Sequence, residues 1–390
     1  MNMLMKRLMT RLFLTLVLLT VLLAQPAAAQ DSPSDPEPDA GAVVCPPGAY
    51  SLSPGDCLPL GPSAYLSELA RLGLTVPPRP LPATQPDPSL TELPYHYFKV
   101  DEFTGTSLYG SLDAAISKAG GVPLLPGFVY LSYTDHVEPG KGHYFLLRSG
   151  EWIPGDGERI RSYSEFQGVQ LSSTPVRPFG WVNKIDFAQV RAAPGYQSAK
   201  TGKVINPYTI VQVYDTVNEG NMDWYLVGPN EWVEGRLVGI VYPNPTPPEG
   251  VTNGRWIEVN LEQQTLAVYE DSRMVFATLV ASGLEPLWTK PGLFQIYEKK
   301  ETELMRNNDP SDFYYLMDVP WTMYFDEARA LHGAFWRAGF GYPQSHGCVN
   351  LSVGDSHWLF NWANVGDWVY VHDPSGQTPT DPSLYGAGAP

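Results

Sequence analysis

Beyond its first thirty residues the chain has no apolar run long enough to cross a membrane. Positive charge is scarce as well. There are 25 Lys and Arg against 41 Asp and Glu, a formal net charge of −16. A chain of that sign repels nucleic acid and anionic lipid, so neither is expected as a partner. Cysteine is scarcer still, at three in 390 residues. So few thiols exclude a disulfide-built scaffold and leave each one to be explained singly.

The first segment reads as an export signal. Lys6, Arg7 and Arg11 precede an apolar run from Leu12 to Leu23, and Ala27-Ala28-Ala29 offers small residues for cleavage. The alternative, an uncleaved anchor, needs ~20 apolar residues. Residues 1–29 are therefore expected to be removed, with the rest outside the cytoplasm. No Cys follows the apolar run directly, which argues against a lipid anchor. In an oxidising compartment Cys45 and Cys57 read as a disulfide pair within a Pro/Gly-rich stretch. Cys348 is then left over, as a packing residue or a reactive thiol.

What the chain does have is Gly (36), Pro (38) and aromatics, including 22 Tyr and 11 Trp. That mix suits short strands and turns, and the length allows two or three domains. Residues 30–94 read as a Pro-rich tether, with one short helix at Ser63–Leu74. Gly127–Gly155 then aligns without gaps on Pro207–Gly235 at an offset of 80. The matched identities are Asp135/Asp215, Val137/Val217, Gly140/Gly220, Leu146/Leu226, Glu151/Glu231, Trp152/Trp232 and Gly155/Gly235. Each copy reads as a strand, a Gly-containing hairpin, an aromatic strand and a Glu-Trp strand, the pattern of a small barrel. The copies are placed at 95–165 and 175–241. The second, with Val190-Arg191-Ala192-Ala193-Pro194-Gly195 leading into Gly202-Lys203-Val204, resembles bacterial Src-homology-3-type domains. Trp152 and Trp232 are either core residues of spacers or part of a binding face.

Tyr242–Gly250 holds four prolines and reads as a linker. Trp256–Leu261 then alternates like a half-buried strand, Thr265–Tyr269 is its partner, and further strands follow at Arg273–Val280, Phe294–Tyr297 and Trp368–Val371. Ser356–Asn364 is a helix candidate, and residues 374–390 read as a disordered tail.

Chemistry concentrates at His332-Gly333 and Ser345-His346-Gly347-Cys348-Val349-Asn350. A nucleophilic cysteine needs a base for its proton and donors for an oxyanion. His332 lies sixteen positions before Cys348, far enough for the chain to turn back on itself. His332, His346, Cys348 and His357 also admit a zinc reading, but their spacing matches no familiar motif, and no metal or cofactor is expected.

The order in residues 252–373 resembles the catalytic domain of the L,D-transpeptidases of peptidoglycan. The likeness rests on Gln264-Thr265-Leu266, Ser282-Gly283, the Thr-x-x-Gly-x-Phe element at Thr289, Gly292 and Phe294, and the two histidine-bearing motifs. Lys290 departs from the proline of many relatives, and residues 298–325 are left unassigned. The resemblance implies a mainly β chain: a β-sandwich preceded by two small Src-homology-3-like barrels. It implies Cys348 as nucleophile, His332 as base and the Gly333 carbonyl as orienter of the ring. Amides of Gly347 and Cys348 would form the oxyanion hole, Ser345 and His346 would shape the loop, and Asn350 would tie it down. The implied partners are peptidoglycan stem peptides as donor and acceptor, with wall glycan on the barrels. Rival outcomes are transfer to water, transfer to a protein amine, or an inactive wall-binding module. An imidazolium beside Cys348 would make its thiolate available near neutral pH.

Overall fold

The computed structural model describes residues 80–386, apart from 94, 102, 104, 156–162 and 184–186. The export signal, the Cys45–Cys57 pair and the Ser63–Leu74 helix lie outside the described residues. No described helix is long and apolar enough to cross a membrane.

The first strands are β1 (Ala83–Thr84), β2 (His96–Lys99), β3 (Thr106–Leu108), β4 (Val122–Leu124), β5 (Phe128–Val137), β6 (His143–Leu147) and β7 (Trp152–Gly155), with helix α1 (Leu112–Ser117) between β3 and β4. The middle holds β8 (Val169–Leu171), β9 (Phe179–Val182), β10 (Ala188–Arg191), β11 (Lys200–Ile205), β12 (Ile210–Gln212), β13 (Asp215–Asn218), β14 (Asp223–Gly228), β15 (Glu231–Glu234) and β16 (Val238–Val241). Then come β17 (Arg255–Asn260), β18 (Thr265–Glu270), β19 (Arg273–Leu279), β20 (Gly292–Gln295), β21 (Glu298–Asn307), β22 (Tyr314–Asp326), β23 (Arg329–Gly333), β24 (Val349–Leu351), helix α2 (Val353–Trp362) and β25 (Trp368–His372).

The repeat in the sequence is a repeat in strand register. In the first copy Asp135 pairs with Leu146 and Leu146 with Trp152. In the second, Asp215 pairs with Leu226 and Leu226 with Trp232. Each pair sits 80 positions from its counterpart. The surroundings differ. The second copy lies in a five-stranded sheet, β11-β10-β15-β14-β13, facing a three-stranded one, β12-β9-β16, around a core that includes Val190, Val213, Tyr225 and Val233. The first copy extends a sheet of the C-terminal region instead. Its β5 pairs in parallel with β22, Tyr314 opposite Phe128 and Leu316 opposite Tyr130. The barrel expected at 95–165 thus shares its sheet with the 252–373 segment.

Two sheets sandwich the main core. One runs β1-β8-β19-β18-β17-β25-β20, and the other follows β24-β23-β22-β5-β6-β7, with β2 on β5 and β21 on β22. Successive side chains of a strand point to opposite faces. Ile257, Val259, Leu266 and Val268 therefore meet Met323, Phe325, Leu331 and Val349 across the sandwich. Trp256, Ala267 and Tyr269 point the other way and pack with Phe179 and Trp181 of β9. The strand at 255–260, expected to be half-buried, is thus covered on both faces, because the three-stranded sheet of the second copy lies against its outer side.

Two further expectations change. Within the 30–94 tether, β1 pairs with β8 at the sheet edge. The backbone carbonyl of Leu90 accepts from His357 Nδ1 of α2 at 3.2 Å, and that imidazole stacks on Trp321. The expected disordered tail holds a 3-10 turn at Pro382–Leu384, and Arg329 donates to the Gly386 carbonyl at 2.8 Å. Its Tyr385 ring lies 5.5 Å from that guanidinium, which anchors the segment to β23.

Candidate active site

The site arises from one parallel pairing. Strands β23 and β24 run side by side with Leu331 opposite Val349, His332 opposite Asn350 and Gly333 opposite Leu351. Side chains two apart on a strand share a face. Cys348, two before Asn350, therefore falls on the same side as His332, and both line one cavity of about 320 Å³. The sixteen-residue separation closes because the chain between them leaves the sheet and returns in register.

His332 is buried, with Nδ1 3.2 Å from the Gly333 carbonyl oxygen. A carbonyl only accepts, so Nδ1 carries the proton and Nε2 holds the lone pair. The Asn350 carboxamide fits between two partners. Turned with its oxygen toward Arg337, it accepts from that guanidinium at 3.1 Å and donates from Nδ2 to His332 Nε2 at 3.0 Å. Arg337 also holds Gln344, donating to Oε1 at 2.9 Å and to the carbonyl at 2.7 Å. Burial dominates the titration of the pair. It pushes His332 down to about 4, helped by the Arg337 charge, and pushes the Cys348 thiol up to about 11. The sequence reading expected an imidazolium beside a thiolate. Burial acts against that pair, since it disfavours charge on both groups. Cys348 is half-buried, and its Sγ–H points at the Ala328 carbonyl, 3.8 Å away.

The loop before Cys348 is tied from several sides. Ser345 Oγ accepts from the Gly347 amide at 3.1 Å and donates to the Cys348 carbonyl. The Gly347 amide, expected as an oxyanion donor, is thus engaged within the turn. Gly347 has φ +118°, a backbone conformation that side chains rarely adopt. Its carbonyl accepts from Thr289 Oγ1 at 2.8 Å, while that hydroxyl accepts from the Gly283 amide at 2.9 Å. The Ser282 carbonyl takes the amides of Gln344 and Ser345, both at 2.9 Å. Gln264 clamps Ser282 in turn, donating to its hydroxyl at 2.7 Å and accepting its amide at 2.9 Å. Gln264, Ser282, Gly283 and Thr289 therefore hold the loop in place. Lys290 sits 3.9 Å from Asp326, which also pairs with Arg329 at 2.9 Å.

The cavity draws on parts the sequence reading left out. The β21–β22 hairpin fills the unassigned 298–325 region and supplies Met305, Tyr314 and Leu316. Asp312 at its tip accepts from His346 Nε2 at 3.1 Å, so His346 links loop to hairpin at the rim. Phe128 of the first copy lines the cavity and meets Trp336 edge-on at 6.4 Å. The matching residue of the second copy, Tyr208, reaches the same connection between base and cysteine. Its hydroxyl donates to the Ala338 carbonyl and accepts from the Phe340 amide, both at 3.2 Å. Arg337 stands between the two motifs, and its position there was the one available signal of its role.

Residues 254–371 match the YkuD family model, the L,D-transpeptidase catalytic domain. That is under a third of the chain. Among solved structures, the chain is similar to an L,D-transpeptidase from Stackebrandtia nassauensis at 30% identity, covering 33% of this chain and 58% of that one, with a TM-score of 0.27. The catalytic domain of the E. faecium L,D-transpeptidase is 26% identical over 32% of this chain and 100% of that one, with a TM-score of 0.29. An L,D-transpeptidase from Mycobacterium smegmatis is 18% identical over 39% and 77%, with a TM-score of 0.30. No curated protein matches the chain.

Proposed function

We propose that this chain, with an L,D-transpeptidase catalytic domain in residues 254–371, is an exported acyltransferase that cross-links peptidoglycan stem peptides through a thioester on Cys348. The observation that carries the reading is the β23–β24 register, which sets a neutral His332, with its tautomer fixed by Gly333, beside Cys348 in one cavity.

Asn350 Nδ2 gives way, and His332 Nε2 takes the thiol proton as sulfur attacks the donor carbonyl that follows the diamino acid. Proton removal and attack are concerted, since burial disfavours a free thiolate. The Cys348 amide is the oxyanion donor we assign, because the Gly347 amide is held by Ser345. The C–N bond breaks, and His332 returns the proton to the departing D-Ala amine. An acceptor amine then attacks the thioester and gives its proton to His332, the C–S bond breaks, and Nε2 returns that proton to the departing sulfur, which restores the thiol. Asn350 and Arg337 position the imidazole and restore it between turnovers. The second copy is the wall-facing part. A cavity of about 690 Å³ beside it mixes polar side chains such as Asn206 and Gln212 with apolar ones such as Val204, Ile210 and Val227, which suits the polar edges and apolar faces of a sugar.

The test is incubation of the chain with a purified tetrapeptide muropeptide and mass spectrometry of the products. A dimer of donor minus D-Ala with acceptor is expected, and Cys348→Ala should form none. Release of D-Ala without a dimer would make the chain a carboxypeptidase. Turnover surviving in Cys348→Ala would overturn the mechanism. His332→Ala should acylate with a carbapenem ~10²–10⁴-fold more slowly, the usual cost of losing a general base.

A further inference from the structure

The turn between β5 and β6 gathers three ligand-type side chains that the site above does not use. His136 Nε2 lies 3.2 Å from His143 Nδ1. Glu138 Oε1 lies 3.3 Å from His143 Nδ1 and 3.8 Å from His136 Nε2. A triangle with these edges has its centre ~2.0 Å from every corner, within the 2.0–2.2 Å range of zinc bonds to imidazole nitrogen and carboxylate oxygen. We propose that His136, Glu138 and His143 bind a divalent transition-metal ion of the zinc class through these three atoms.

Proton bookkeeping favours a cation over a plain hydrogen-bonded pair. Whichever tautomer is present, the Nε2–Nδ1 contact has room for one proton between its two atoms, and a carboxylate beside both can only accept. A cation satisfies all three lone pairs at once. The rings are held for it. His136 stacks on Phe145 at 4.4 Å and lies near-parallel to His143 at 5.3 Å. Phe145 is fully buried and fixes the strand behind them. The Glu138 side chain is 62% exposed, so a fourth position opens to water or an external ligand.

The second copy serves as an internal control. At the offset of 80 the three positions become Thr216, Asn218 and Asp223. There the same turn is closed by Asn218 Nδ2 donating to Asp223 Oδ1 at 2.8 Å. Equal register thus carries a direct hydrogen bond in one copy and a convergent ligand set in the other. The consequence of binding would be a first copy whose hairpin is clipped by metal.

The experiment is a titration of the chelator-stripped full chain with Zn²⁺ alone by calorimetry, and with Co²⁺ alone by visible absorption. One equivalent is expected, with the intense bands of a low-coordinate cobalt site. Cys348→Ala should bind unchanged. Glu138→Gln alters only an exposed side chain, and His143→Gln alters a ring; each should weaken binding by at least ~100-fold, beyond the 10–100-fold typical of second-shell partners. No uptake by the wild-type chain would overturn the proposal. So would uptake that survives both substitutions, or that is lost in Cys348→Ala.

Discussion

The two copies share a strand register and almost nothing of their surroundings. In the second, Tyr225 and Val233 sit in a core built by that copy alone. In the first, Phe145 and Ile153 pack with Phe98 and Phe313, so the cluster includes a residue from the hairpin over the cavity. The copies also differ at one sheet edge. Strand β5 runs ten residues, and its first three pair with β22; the matching part of the second copy is the short β12 and its turn. An open strand edge presents unpaired donors and acceptors. The first copy used its edge to join the catalytic sheet. A duplicated meander keeps its internal pairing and diverges where it meets other elements.

The largest effect should come from matched core truncations. Phe145 and Tyr225 occupy equivalent positions and are both buried. Phe145→Ala and Tyr225→Ala should each cost ~3–5 kcal/mol, as large-to-small aromatic changes in cores do. The comparison says their functional effects differ. Phe145→Ala loosens the sheet that continues into β22, so carbapenem acylation per folded molecule should fall. Tyr225→Ala should leave it near wild type at temperatures where the protein stays folded. Denaturant midpoints and acylation rates on the same samples decide it. Equal losses of acylation would break the distinction.

The next effect concerns the segment between the copies. The Gly168 amide donates to Asp355 Oδ1 at 2.8 Å, and Thr278 donates to the other oxygen. Burial raises Asp355 to about 7. Between about pH 4 and 7 the native state keeps a proton that the unfolded chain has lost, so Asp355 makes stability fall as pH rises. His332, lowered to about 4, does the opposite. From about pH 4 to 6.5 the unfolded chain holds its proton and the native state does not, so stability rises with pH. The slopes are each ~1.4 kcal/mol per pH unit and largely cancel. Asp355→Asn, which mimics the neutral acid, should unmask the rise, and His332→Gln should unmask the fall. Urea midpoints across pH 4 to 8 report both. An Asp355→Asn profile identical to wild type would show that this carboxyl does not take up a proton on folding.

How much of this was legible follows from where each signal lies. The His-Gly and Ser-His-Gly-Cys motifs are contiguous, and the structure brings the residues named from them to the paired strands β23 and β24 and the loop before β24. The repeat was legible because gapless identity preserves register. The parallel β5–β22 contact was not, since residues nearly two hundred positions apart leave no local pattern. Gln264, Ser282 and Thr289 could be named by resemblance, while their work as loop anchors needed the hydrogen bonds. The burial that opposes charge on His332 and Cys348 has no mark in a six-residue motif. Arg337 went unread because its partners Gln344 and Asn350 give meaning to it only in three dimensions.

The smallest effects test whether both copies touch the site. Phe128 and Tyr208 are equivalent positions, and both contact the connection that carries Trp336 to Phe340. Phe128 lines the cavity with its ring. Phe128→Ala should raise KM for the donor a few-fold with kcat held, the mark of lost uniform binding. Tyr208 acts through its hydroxyl, which holds the Ala338 carbonyl and the Phe340 amide. Tyr208→Phe keeps the ring against Phe166 and removes both bonds, each worth ~1 kcal/mol. The connection between base and nucleophile then loosens, so kcat should fall a few-fold while KM moves little and the unfolding midpoint drops by no more than the two lost bonds account for. Steady-state kinetics on the muropeptide donor separate the two. If Tyr208→Phe leaves kcat unchanged while Phe128→Ala raises KM, the second copy is a spacer as far as catalysis is concerned. If kcat falls, both halves of the duplication brace the same loop, one through an apolar face and the other through a hydroxyl.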